Sequence, residues 1–423
     1  MTSATVVFAC LVLAYTASSR SLGRFHVTAP LAFAAGGAAL GFAGQAQTAQ
    51  EVVWVKLVAA LTLALILFHD AAQVRPRDLR SVGPLVARML LVGWPLTVLA
   101  SYLTARVFFP DQPAMLALLL AAALAPTDAG LGAATLVNPA VPVRVRAVLN
   151  VESGLNDGLA APLALFAIAA LAGAESLRPG VSAAGALGEF ALGALTGGVA
   201  GAGGGALLGW SRGHAMSTVS ARALGVFTLP VLAYGAAELA HGNGFVAAFV
   251  AGMAFAASSR WMHEEKSVFE LTEASAELLG FGVWLVFGLV AVPRLWEAAG
   301  WREVLYALLS LTVLRMLPVA VSLLGSGLRP PTVLFLGWFG PRGLATVVFA
   351  LLAIETLEVD QALRHALLAV SLTVLFSVVA HGASAEPLAR RYGAWAERHQ
   401  PPVETGSARE PQPRGRLVRR GRL

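Results

Sequence analysis

Thirteen apolar stretches fill the chain between residues 3 and 384, and they constrain its fold more than any other feature. They run over residues 3–18, 27–47, 51–72, 83–107, 113–138, 145–172, 181–209, 219–239, 243–258, 270–292, 302–327, 331–354 and 362–384. A bilayer-spanning helix needs about 20 such residues, so thirteen use roughly 260 and leave room for little but connections. Only 13% of the 423 residues are charged, about half the usual share of a soluble domain. Mean hydropathy is +0.71. Barrel strands alternate apolar and polar positions, whereas Leu57 to Phe68 and Ala114 to Leu124 are apolar all round. The fold expected is an all-α membrane protein of about thirteen spanning helices.

The one cysteine, Cys10, lies in the first stretch, which excludes a disulfide framework or a cysteine metal site within the chain. No cofactor is expected. The first stretch has no basic residue before Arg20, so it reads as a retained helix rather than a cleaved leader. The net charge of +6 does not point to nucleic acid, because the excess sits in connections and at the C-terminus. Odd-numbered connections carry Arg20, Arg24, Arg75, Arg77, Arg80, Arg144, Arg146, Arg212, Arg222, Arg260, Lys266 and Arg329. Even ones carry fewer, among Asp111, Glu175, Glu238, Glu297, Glu303, Glu355, Glu358 and Asp360. Basic residues stay cytoplasmic, which puts the N-terminus outside and the C-terminus inside. From Pro387 onward nine arginines lie among Pro, Gly and polar residues, read as a short, disordered, cytoplasmic basic tail over 387–423. Small residues such as Gly154, Gly158 and the run from Gly197 to Gly205 are read as helix packing.

Charge deep in a membrane costs about 2.5–3.5 kcal/mol on the gentlest scale, so the few such residues are informative. Four lie deep: Asp128, Glu152, Asp157 and Arg342. Asp128 follows Pro126 and Thr127 in the fifth stretch and precedes Gly130; Arg342 lies within Gly-Trp-Phe-Gly-Pro-Arg-Gly, residues 337–343, in the twelfth. Both contexts predict a broken helix. Two interrupted hydrophobic helices point to an inverted-repeat transporter with a midplane site, where half-helix ends offer dipoles and carbonyls to an ion. In the sixth stretch, Glu152 and Asn156 share a face, as do Ser153 and Asp157. If the fifth and sixth helices are neighbours, Asp128, Asp157 and a hydroxyl surround one small site suited to a hard monovalent cation. Two close carboxylates do not both ionise easily, so proton and cation compete there. Glu152 and Arg342 read as a structural pair, and Arg315 as a partner of Glu273 or Glu277. His69 and Asp70 suit either a proton route or a helix-end cap, and His241 and His381 read as interfacial side chains.

At these residues the chain resembles the sodium/hydrogen exchanger family of monovalent cation:proton antiporters, in the NhaP-like branch with an Asn-Asp pair. The resemblance rests on Pro126-Thr127-Asp128, on Val-Glu-Ser-Gly-Leu-Asn-Asp-Gly over 151–158, on Gly242-Asn-Gly-Phe245 with Phe249-Val-Ala-Gly252, on 337–343, and on Ser377-Val-Val-Ala-His-Gly382 with Pro387-Leu388. It implies a homodimer of membrane transport domains over 1–386, each with a six-helix core (about 83–172 and 302–386) holding two unwound crossing helices, and a dimerisation domain (about 1–72 and 181–292). It implies that Asp157 carries cation or proton, assisted by Thr127, Asp128 and Ser153, so that Na⁺, Li⁺ or K⁺ binds at these four. It also implies that Glu152 pairs with Arg342 in a network with Asn156, and that exchange is electroneutral. Some members of the family carry a glutamate at the end of the third helix, where the corresponding stretch here reads Phe68-His69-Asp70.

The function expected is exchange of a monovalent cation, first of all Na⁺, for H⁺ across the plasma (inner) membrane, serving pH homeostasis. Its partners are the cation, protons, membrane lipid and a second copy, without nucleic acid or enzymatic chemistry. A cation channel, an intramembrane hydrolase using Ser153 or Ser377 with His381, and a metabolite carrier are the alternatives.

Overall fold

A chain in lipid satisfies its backbone N–H and C=O groups only along its own axis or within protein, and the apolar stretches accordingly fold as helices. In the computed structural model, residues 2–24, 27–43, 49–74, 76–136, 138–175 and 183–406 are described, and among them there is no strand. The helices are α1 (Thr2–Arg24), α2 (Ala29–Phe42), α3 (Ala49–Gln73), α4 (Pro76–Arg88), α5 (Trp94–Phe108), α6 (Ala114–Leu124), α7 (Ala133–Leu136), α8 (Val143–Glu175), α9 (Ala183–Gly213), α10 (Val219–Leu239), α11 (Gly244–Ser258), α12 (Glu270–Ala298), α13 (Trp301–Leu311), α14 (Val313–Ser322), α15 (Pro330–Trp338), α16 (Leu344–Thr356) and α17 (Gln361–His399). A π-helical turn, Met89–Gly93, joins α4 to α5.

Seven described helices are long and apolar enough to cross a membrane, and six shorter ones are apolar. The fifth stretch is α6 and α7 around a non-helical segment at 125–132, and the twelfth is α15 and α16 around 339–343. These are the two interruptions expected from Pro126, Gly130, Gly340, Pro341 and Gly343.

Local polar residues start several helices. Asn243 accepts the N–H groups of Phe245 and Val246 at 3.1 and 3.0 Å and caps α11, Asp360 accepts from Leu363 and caps α17, and Glu303 accepts from Gly300 at the start of α13. Each satisfies a donor that has no partner within its helix.

Helices α2, α3 and α9–α12 pack chiefly on one another, as do α4–α8 and α13–α17; α3 with α16, and α8 with α11, are among the contacts joining the two groups. Side chains at Gly197 and Gly201 of α9 would collide with backbone of α11 at Ala247 and Ala251, so these glycines permit close helix approach.

The tail differs from the sequence expectation. Helix α17 continues through Pro387 to His399, burying Ala385, Ala389, Tyr392 and Ala396 on one face, with Tyr392 stacked on Phe335 at 4.3 Å. Beyond it, Glu404 is 1% exposed and accepts from the Arg329 backbone at 2.8 Å and the Thr332 hydroxyl at 2.9 Å, while Arg144 donates to the Val403 carbonyl at 2.9 Å. The apolar spacing at 385, 389, 392 and 396 carries helix and packing past the expected boundary at 387. The remaining tail, 407–423, lies outside the described residues, as do Arg75 and Arg178.

Candidate functional site

The two interruptions meet. The Asp128 N–H donates to the Pro341 carbonyl at 2.8 Å, and Asp128 Oδ2 accepts the Leu344 N–H at 2.8 Å. Oδ1 accepts the N–H groups of Gly130 and Leu131 at 2.7 and 3.2 Å. Asp128 therefore caps α16 and stabilises the turn after its own break, where a carboxylate is favoured by unpaired donors and the helix dipole. A side chain at Gly343 would collide with the Asp128 carboxyl group, so only glycine admits this approach. Oδ1 is filled and Oδ2 keeps one lone pair for any further ligand.

The carbonyls freed by the fifth-stretch break are taken up by residues from three helices or breaks. Ser153 Oγ of α8 donates to the Thr127 carbonyl, Arg342 Nη1 lies 3.3 and 3.2 Å from the carbonyls of Ala125 and Pro126, and Thr346 Oγ1 of α16 donates to Ala123 at 2.8 Å. Arg342 Nη1 also reaches the Gly340 carbonyl at 3.3 Å. Nothing in the sequence singles out Thr346, whose role depends on packing between residues 223 positions apart.

Beside this junction lies a buried charge network. Glu152, 0% exposed, pairs with Arg315 at 3.0 Å; Arg315 is 1% exposed. Asn156 Nδ2 donates to Glu152 Oε1 at 3.2 Å and to Thr127 Oγ1 at 2.6 Å, and Thr127 Oγ1 donates to Glu152 Oε2 at 3.3 Å. This corrects two expected pairings. Glu152 is bound by Arg315 of α14, not by Arg342, and Arg315 faces Glu152 rather than Glu273 or Glu277. The reason is local: Arg342 sits within the broken backbone, where free carbonyls engage it, while Arg315 approaches from α14 across Gly340, whose missing side chain leaves room for the guanidinium.

Asp157 is 6% exposed, on α8 one turn after Ser153. The next residue, Gly158, lies under the ring of Phe249 from α11, so this stretch of α8 faces the other group of helices. Oxygens of three kinds gather along α8: the Asp157 carboxylate, the Ser153 hydroxyl and Asn156 Oδ1, which is buried without a hydrogen-bond donor among the described residues. Such oxygens suit a hard cation. Among the described residues no cluster of three or more His, Cys, Asp and Glu suits a metal ion. His69 and Asp70 are buried near the end of α3, with His69 against Gln73 and edge-on to Phe269 at 5.8 Å.

Comparison with known proteins follows the same line. A profile of the family described as sodium/hydrogen exchanger, transmembrane, matches residues 7–391. A Na⁺/H⁺ antiporter of Schizosaccharomyces pombe is 28% identical over 314 residues, 67% of this chain and 62% of that protein. The K⁺/H⁺ antiporter NhaP of Alkalimonas amylolytica is 25% identical over 336 residues, 79% of this chain and 57% of that protein. The chain thus spans about three fifths of the length of these curated relatives. The solved structure of the sodium proton antiporter MjNhaP1 from Methanocaldococcus jannaschii at pH 8 superposes with a TM-score of 0.71 at 18% identity, covering 92% of this chain and 99% of that one. A second structure of that antiporter, from an electron-microscopy map, gives 0.67. The fold is shared, the protein is a multi-pass integral membrane protein, and the family and its relatives are transporters rather than enzymes. On the profile match across residues 7–391, the chain belongs to the transmembrane sodium/hydrogen exchanger family.

Proposed function

We propose that this protein is a secondary antiporter that exchanges a monovalent cation, first of all Na⁺, for H⁺ by alternating access, electroneutrally, with Asp157 as the carrier of cation or proton. The observation that carries the reading is the junction of the two interrupted helices through Asp128, Pro341 and Leu344, set against the helix that bears Asp157. Glu152 serves structure, bound to Arg315, while Asp128 is held in place by backbone donors and keeps one lone pair for the ion. A carboxylate moving through apolar surroundings is costly unless neutralised, so Asp157 crosses only when protonated or cation-bound, and that requirement couples the fluxes. Ser153 and Asn156 Oδ1 complete the cation's oxygen shell, with Thr127 and the remaining lone pair of Asp128 supporting it from the broken helix.

The helices α4–α8 and α13–α17 form the moving core, and α1–α3 with α9–α12 the scaffold, through which two copies associate. The seven long and six shorter apolar helices supply thirteen spans, with α6–α7 and α15–α16 as the crossing pair. Arg144 and Arg329, from odd connections, meet the segment at 401–406 through Val403 and Glu404, whereas Glu303 and His365, flanking even connections, meet at 2.6 Å. The basic face is therefore cytoplasmic and holds the C-terminus, with the N-terminus outside. The membrane is the plasma membrane, where such exchange adjusts internal pH. Relatives named for Na⁺ and for K⁺ make cation choice the first question. Dissipation of a pH gradient in proteoliposomes on adding Na⁺, Li⁺ or K⁺, with the membrane potential free or clamped, tests the proposal. Response to an alkali cation that is indifferent to the clamp supports it; no response to any of the three contradicts it.

A further inference from the structure

We propose that Ser377 and His381 of α17 are positioning residues for the ion site, clamping the α15–α16 interruption from the side opposite Asp128. The inference rests on the antiport reading above and concerns two residues that reading leaves without a role.

A helix broken inside protein exposes donors and acceptors that must be paired, because no water is at hand to replace them. Around residues 338–344 the segment pairs partly with itself, through the Gly340 N–H and carbonyl, and partly with two neighbours. Asp128 takes the Pro341 carbonyl and the Leu344 N–H. Helix α17 takes two more groups: Ser377 Oγ accepts the Arg342 N–H at 2.7 Å, and His381 Nε2 lies 2.9 Å from the carbonyl of Trp338, the last residue of α15, which also accepts the Gly340 N–H at 2.8 Å. Since a carbonyl can only accept, Nε2 carries the proton in this arrangement. His381 Nδ1 lies 3.2 Å from Ser377 Oγ and 3.0 Å from the Ser377 carbonyl. Ser377 Oγ already accepts from Arg342, so its own hydrogen is available to Nδ1. The resulting chain runs from the Arg342 N–H through Ser377 and His381 to the Trp338 carbonyl, closing a ring across the break.

Two further contacts fix it. The His381 ring stacks on Trp338 at 5.1 Å, and Trp338 Nε1 donates to Ser384 Oγ at 3.0 Å. Ser377 is 0% and His381 2% exposed, so His381 is not the interfacial side chain its sequence position suggested. Nor does the pair serve as a nucleophile and base, because the Ser377 oxygen is buried and engaged by the Arg342 amide. The backbone held by this clamp presents Arg342 to the carbonyls of Ala125 and Pro126 and the Leu344 N–H to Asp128. Loosening it shifts both groups that shape the fifth-stretch break beside Thr127.

The test measures the half-saturating cation concentration and maximum rate in proteoliposomes for wild type, Ser377→Ala, His381→Ala, His381→Gln and Asp157→Asn, with rates normalised to folded protein. Loss of one buried hydrogen bond predicts a half-saturating concentration raised about three- to tenfold in both alanine variants, with the maximum rate held within about twofold. Glutamine can still donate to Trp338, so His381→Gln returns toward wild type. Ser377→Cys, close in shape but a weak acceptor, covers the case in which alanine does not fold, and it too raises the half-saturating concentration. An unchanged half-saturating concentration in the folded variants, or a fall in maximum rate alone, overturns the clamp while Asp157→Asn stays inactive. Transport surviving in Asp157→Asn overturns the underlying antiport reading as well.

Discussion

Asp128 and Leu344, 216 positions apart, are joined by a 2.8 Å hydrogen bond from the Leu344 N–H to the Asp128 carboxylate. One side chain of the fifth stretch thus caps the second half of the twelfth, and the reciprocal bond to the Pro341 carbonyl makes the two breaks one unit.

That unit leaves no room for a side chain at Gly343. Gly343→Ala is expected to lower stability by about 1–3 kcal/mol, as overpacking does, and to reduce transport. Gly382, whose added methyl would meet open space, is the control: Gly382→Ala should leave both thermal unfolding and transport close to wild type.

The Glu152–Arg315 pair makes a second prediction. Removing one partner of a buried ion pair costs about 3–5 kcal/mol, because the other charge is left uncompensated. Glu152→Ala and Arg315→Ala should each lower the unfolding temperature of the purified protein, and the double variant should fall well short of their sum. The same cycle with Arg342→Ala should show a smaller coupling to Glu152. Equal couplings would restore the pairing expected from sequence.

The segment after α17 makes a third. Glu404→Ala leaves the Arg329 N–H and the Thr332 hydroxyl without their buried acceptor and is expected to cost about 2–3 kcal/mol. Chains ending at residue 399 should unfold like Glu404→Ala, whereas chains ending after residue 406 keep the Glu404 contacts and should unfold at a higher temperature than those ending at 399.

A fourth concerns pH. Partial burial pushes the Glu265 carboxyl up, but hydrogen bonds and charge from Arg212 and Arg222 outweigh it and hold Glu265 below its usual range. A carboxylate whose pKa is lower in the folded state stabilises fully above its unfolded value, about 4.3, and loses that contribution as pH falls through the folded value. Wild type should therefore exceed Glu265→Gln in stability at neutral pH, and the difference should vanish only in acid below about pH 4.

What could be read in advance follows the range of the interaction. The helical stretches and the breaks at Pro126–Gly130 and Gly340–Gly343 depend on residues close in sequence, and the structure has them where Pro and Gly imply. The partner of Glu152 depends on which of two arginines, 27 positions apart, packing brings within 4 Å, and no local pattern distinguishes Arg315 from Arg342. Thr346 is an ordinary helix residue until folding sets it against the freed Ala123 carbonyl, and the motif that holds Ser377 does not disclose that its hydroxyl meets the Arg342 N–H. The tail as far as residue 406 departs from the expectation for another reason: arginine and proline content suggests disorder, but the small and aromatic residues at 385, 389, 392 and 396 keep a helical period and have Phe335 to pack against.

The account turns on Asp157 as the carrier, and pH-gradient dissipation by Asp157→Asn in proteoliposomes tests it most directly. The account predicts that the variant folds and superposes on wild type in thermal unfolding, yet dissipates no gradient on addition of Na⁺, Li⁺ or K⁺. Dissipation at the wild-type rate would contradict it.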